Sequence, residues 1–133
     1  MRKAFLFIFI AAMLVSCATE QNIRADFEKE MKNYHELIRW HQLEEASLLA
    51  SASISGAYKE RLQAAKNIVV VDYRVSNINY SEETKQAEVA VQIDYYTHSS
   101  PRMRSITDNQ KWAYEGKEGE GVWRLTSLFP EFP

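Results

Sequence analysis

The chain has 133 residues, with 16 Lys+Arg against 18 Asp+Glu and a formal net charge of −2. That is room for one small domain, and the balance gives none of the electrostatic footprint that nucleic acid or an anionic membrane surface would require. Aromatics at 12% exclude a disordered chain, and the single cysteine excludes an intrachain disulfide, so stability has to come from packing.

Arg2 and Lys3 form a positive start, followed by twelve uncharged, mostly apolar residues from Ala4 to Val15. A helix of that length rises about 18 Å against a hydrocarbon core of roughly 30 Å, too short for a stable span. Ala18-Thr19-Glu20-Gln21-Asn22 carries no basic stop-transfer cluster. The layout is that of a secretory signal peptide over residues 1–16.

The run closes on Leu14-Val15-Ser16-Cys17, which resembles the lipobox of bacterial lipoproteins. The resemblance implies that Cys17 carries a diacylglycerol, that cleavage falls just before it, and that its new amino terminus is acylated. An ordinary signal peptide that happens to contain a cysteine is the competing reading. Two or more acyl chains hold a protein stably to a bilayer where one holds only marginally. Ala18 after the lipidated cysteine is not the aspartate that retains such proteins in the inner membrane, so the resemblance implies the periplasmic face of the outer membrane.

Without residues 1–16 the chain keeps 117 residues and loses two positive charges, leaving 14 basic against 18 acidic side chains, or −4. Residues 17–23 read as a tether and 24–133 as a single domain. From Ile23, Phe27, Met31, Tyr34 and Ile38 step by three or four, and the stripe extends to His41 or Gln42. Residues 43–52 continue as helix after a bend. Ser51, Ser53 and Ser55 with Gly56 mark a break and a source for an N-cap. Ile54, Tyr58, Leu62 and Ala65 form one face of the next helix.

The period then changes to two. Val69, Val71, Tyr73 and Val75 alternate with Val70, Asp72, Arg74 and Ser76, and the phase slips toward Ile78 and Tyr80, predicting a bulge near Asn77. After a polar turn, Ala87, Val89, Val91, Ile93 and Tyr95 give the cleanest alternation in the chain. Arg102 to Glu115 reads as a third strand, with Ile106, Trp112 and Tyr114 as its apolar row and Asp108 and Gln110 between them. A glycine-rich charged hairpin over residues 116–121 leads to a last strand, residues 122–128, and a proline-stiffened tail.

Helices followed by four hairpin-connected strands predict an α+β fold, with N-terminal helices on a curved four-stranded antiparallel sheet. The order of elements, with Gln110-Lys111-Trp112 and Gly121-Val122-Trp123-Arg124-Leu125 closing the sheet, resembles small bacterial lipoproteins of the NTF2-like/cystatin-like group. The resemblance implies a cone between sheet and helices, used by some members for catalysis and by many only for binding.

No catalytic signature of that group matches here. His35 and His41 stand about 240° apart on a helix and cannot share a metal as an i, i+4 pair does. Asp72 and Asp94 fall on the polar parity of their strands, where a solvated face with Arg74 is expected rather than a proton-transfer pair. No nucleophile arrangement or phosphate-cradling loop is present in the sequence. Catalytic, cofactor and metal residues are therefore expected to be none.

The aromatics Tyr73, Tyr95, Trp112 and Trp123 read as core. Tyr96 falls off the buried parity and is the candidate for a pocket mouth or exposed contact. Arg102 and Arg104, with Lys111, form a local basic cluster that could meet an acidic partner or a lipid headgroup. Together these residues predict a membrane-tethered, non-enzymatic binding module that meets an envelope protein; an exposed sheet face could also form a homodimer, which the polar Glu88, Gln92 and Asp94 leave open. The competing expectation is a small NTF2-like enzyme or carrier with a ligand in the cone.

Overall fold

The computed structural model describes the backbone of residues 2–117 and 119–133, and the side chains of residues 19–117 and 119–133. The side chains of the lipobox, Cys17 included, lie outside the described residues, and so do the signal-peptide side chains. The elements are α1 (Arg2–Arg39), α2 (Leu43–Ser47), a 3-10 turn (Ala52–Ile54) running into α3 (Ser55–Ala64), and strands β1 (Ile68–Ser81), β2 (Gln86–Thr97), β3 (Ser100–Glu115) and β4 (Val122–Leu125). Among the described residues no helix is long and apolar enough to cross a membrane.

The four strands form one open antiparallel sheet in the order β1-β2-β3-β4, and the helices precede it in the chain, so the fold is α+β as the periodicities predict. Ile23, Phe27, Met31, Tyr34 and Ile38 of α1 are all buried, because steps of three and four keep one face of the helix on the sheet. The helix is continuous through residues 18–22, where the sequence suggests a tether. At that end the Trp123 indole donates to the Ile23 carbonyl at 2.8 Å, and Phe27 meets the Trp123 ring at 5.0 Å.

The stripe does not extend to His41 or Gln42. The helix stops at Arg39, and His41 takes a left-handed conformation at φ 60°. The His41 amide bonds the Ile38 carbonyl at 3.1 Å and the Gln42 amide bonds the Leu37 carbonyl at 2.8 Å, the paired bonds of a Schellman termination. The next segment also leaves its helix early. Beyond α2, Ala50 forms a parallel bridge with Leu125, the Ser51 amide donating to the Leu125 carbonyl and the Leu125 amide to the Leu49 carbonyl, both at 2.8 Å. These residues therefore extend the sheet past β4. Ser51 caps no helix; its hydroxyl donates to Glu115 at 2.6 Å.

Strand β2 is the centre of the core. Ala87, Val89, Val91, Ile93 and Tyr95 are all buried and point at the helices, as their alternation predicts. β1 shifts register between Val75 and Asn77, matching the bulge expected there, and again between Val70 and Asp72. The second shift changes which residues face inward: Val70 and Tyr73 pack on the core, while Val71 sits in the bulge, exposed. Val75 and Ile78 keep the inward parity opposite Val91 and Val89 but lie at the edge strand, 42% exposed each.

β4 is shorter than its sequence pattern suggests. It pairs with β3 only from Trp112 to Glu115, after which Thr126 donates to the Lys111 carbonyl and the chain departs from the sheet.

A histidine held at positive φ carries a steric penalty that glycine does not. The variant His41→Gly should therefore raise the unfolding free energy by about 0.5–1 kcal/mol, measured by urea denaturation, with an unchanged slope.

Candidate functional site

Ile106, Asp108, Gln110 and Trp112 lie two residues apart on β3, so all four side chains project to the same face. Asp108 and Gln110 are buried beside Trp112. This corrects their expected place between the apolar positions. The parity shared with Trp112 was the signal; their polarity concealed it.

Gln110 is the hub of the cluster. Its amide nitrogen donates to Asp108 Oδ2 at 3.0 Å, and its oxygen accepts from the Trp112 indole at 3.2 Å. The same oxygen lies 3.2 Å from His35 Nε2, which must therefore carry the proton, leaving Nδ1 unprotonated in the neutral ring. His35 reaches inward from α1 because it follows Tyr34 and stands one turn after Met31 on the buried face. Its ring stacks on Tyr73 at 4.9 Å and 18°. Nearby, the hydroxyls of Tyr34 and Tyr58 are 2.7 Å apart, joining α1 to α3.

Burial sets the protonation of the group. Desolvation pushes the Asp108 carboxyl up to about 6, against the opposing pull of the Gln110 hydrogen bond. It pushes the Tyr34, Tyr58 and Tyr73 phenols above their ordinary range, and the Asp108 charge adds to each shift. It lowers the pKa of His35, so its neutral form is favoured.

The arrangement does not make a proton relay. His35 and Asp108 bond opposite ends of the Gln110 side chain, which separates the two titratable groups. Among the described residues every buried side-chain nitrogen and oxygen has a hydrogen-bond partner, and no three His, Cys, Asp or Glu side chains gather as a metal site.

The chain after β4 closes this end of the interior. Phe129 packs edge-on against Tyr58 at 5.7 Å and Phe132 against Tyr95 at 4.9 Å. The Pro133 carbonyl oxygen accepts from the Tyr95 hydroxyl at 2.9 Å and from Arg104 at 2.8 Å. Between this tail and the β3 edge lies a cleft of about 420 Å³, lined in part by Asp108, Arg61 and Glu131.

The residues singled out in the sequence are not brought together. Arg104 is the cross-strand partner of Tyr95 and shares its inward side, whereas Tyr96 is half-buried and points to the opposite face. Arg102 is exposed in the irregular stretch before that pairing resumes. Tyr95, Trp112 and Trp123 are buried as core, while Tyr73 packs on that core from its margin, half-buried. Asp94 is held on the outer face by Arg74 at 3.1 Å and by Ser105, as a solvated-face reading requires.

The chain matches no protein-family model and none of the curated proteins.

The Asp108 carboxyl holds its proton more tightly folded than unfolded. Its contribution to stability is therefore full below its ordinary value of 3.8 and lost as pH rises through about 6. Asp108→Asn keeps an oxygen for Gln110 and removes the buried charge. It should raise stability over the native chain by about 2–3 kcal/mol at about pH 8, with the gain shrinking toward zero near pH 3.5. Paired denaturation curves at each pH check this. His35 shifts in the opposite sense, its contribution full above 6.5 and lost as pH falls from there toward its lower folded value, and it cancels because both chains contain it.

Proposed function

We propose that this chain is a lipid-anchored binding module of a bacterial cell envelope, held through Cys17 and acting by contact rather than catalysis. The observation that carries the reading is the filled interior. Tyr34, Tyr58, Tyr95, Trp112 and Trp123 are each about 99% buried, where a catalytic cone would need a cavity. The two internal groups able to move a proton, His35 and Asp108, are separated by Gln110.

The lipobox at Leu14-Val15-Ser16-Cys17 supports the anchor, and Ala18 supports the periplasmic face of the outer membrane. The direction of α1 supports an orientation. Ile23 and Phe27 pack beside Trp123 and Tyr80, near the β1–β2 and β3–β4 turns. From Ile23 to Ile38 the helix rises about 22 Å toward the opposite end, where the β2–β3 turn, Arg102 and Arg104 lie. A module tethered just before Ile23 would turn that basic pair away from its own bilayer. An acidic region of an envelope protein is thus favoured over a headgroup of the same membrane.

Mass spectrometry of the mature chain tests the anchor: it should begin at Cys17 and carry acyl chains, and an unmodified thiol there overturns the reading. The contact is tested by cross-linking in native envelopes. The double variant Arg102→Glu, Arg104→Glu should lose its captured product by about tenfold or more with its circular-dichroism spectrum unchanged, because both side chains are exposed and only the Arg104 bond to the Pro133 carbonyl is lost with them. Arg102→Glu alone, which touches no such bond, should lose a part of that capture. Capture that survives the reversal removes this surface from the proposal.

A further inference from the structure

We propose that the shallow cleft between the β3 edge and the C-terminal tail, lined by Asp108, binds the primary ammonium group of a small organic amine.

The first observation is an incomplete carboxylate. Asp108 is 94% buried, and its one hydrogen bond is the one that Oδ2 accepts from Gln110; among the described residues no basic nitrogen lies within 4.0 Å of it. Oδ2 is held by Gln110 and no buried side-chain oxygen among the described residues lacks a partner, so Oδ1 is the oxygen left open to the cleft, where a charged group can meet it. The basic side chain that lines the cleft, Arg61, is engaged with the tail: it pairs with Glu131 at 3.3 Å and donates to the Phe129 carbonyl at 3.3 Å.

The second observation is the strand edge. Lys111 directs both its amide and its carbonyl toward the tail, to Ser127 at 2.9 Å and from Thr126 at 2.8 Å. The period of two then directs the amides and carbonyls of Asn109 and Thr107 the same way. β4 has already ended there, so no strand meets them. Both residues line the cleft, which is shallow and open to solvent.

These groups select the ligand. A primary ammonium has three donors and no acceptor, and the cleft offers the Asp108 carboxylate and edge carbonyls, beside a Glu131 carboxylate that it would share with Arg61. A quaternary ammonium would want an aromatic face, and no aromatic side chain lines this cleft. A metal would want a third acidic or imidazole ligand, which the described residues do not place here. The site needs neither the Cys17 lipid nor Arg102 and Arg104, so it stands or falls separately from the envelope-partner reading.

The test titrates the full-length chain in neutral detergent with n-butylammonium. Carboxyl-carbon and amide NMR follow Asp108, Thr107 and Asn109. Saturable shifts confined to the cleft are expected, with affinity reduced about tenfold in Asp108→Asn. Arg61→Gln removes the competing cation, and affinity should rise severalfold. Butyltrimethylammonium and butyrate should bind more weakly than n-butylammonium. Any one of four results overturns the proposal: no saturable shift up to roughly 50 mM, equal affinity in Asp108→Asn, no gain in Arg61→Gln, or equal binding of either control.

Discussion

One amide side chain joins the two layers of this protein. Gln110 holds Asp108, Trp112 and His35 at once, and His35 belongs to α1 whereas the others belong to β3. In so dense an interior each of these groups would be costly to leave unpaired. The bonds therefore specify how α1 lies on the sheet, a choice that apolar contacts alone leave loose. The Trp123 bond to the Ile23 carbonyl does the same one end further along. The helix is thus pinned at two points about 18 Å apart along its axis.

The same interior is filled rather than hollow, which is what the proposed contact role rests on. A sheet covered by helices on one side can either keep a hollow between the layers or fill it with large side chains. Here Phe27, Tyr34, Trp112 and Trp123 meet ring to ring across that space. What chemistry remains is displaced to the margin, where the tail covers the sheet's end and Asp108 faces a cleft.

Strong periodicity was readable from the residues. The α1 stripe, the β2 alternation and the bulge near Asn77 follow from local pattern, because each is enforced by burial of one face. What was not readable depended on distant partners. Asp108 and Gln110 are polar residues in an apolar row, tolerated because Gln110 meets His35, 75 positions away in the chain. The early ends of α2 and β4 reflect a parallel bridge between Ala50 and Leu125 and a side-chain bond between Lys111 and Ser127. His41 at positive φ reflects the sharp turn that follows α1, for which glycine would be the usual choice. The signal for the cleft was weaker still, since it arises where β4 is missing rather than where any motif is present.

The bond from Trp123 to Ile23 spans 100 positions. Ribosomes deliver the amino-terminal side first, so the apolar stripe of α1 emerges long before the strand that receives it. Until β3 and β4 have been made, Phe27 and Tyr34 lack the tryptophans they will touch, and the nascent helix presents a sticky surface to its surroundings. Folding of this domain therefore waits until β4 has emerged, and a holding chaperone would find its natural target in the first helix to appear.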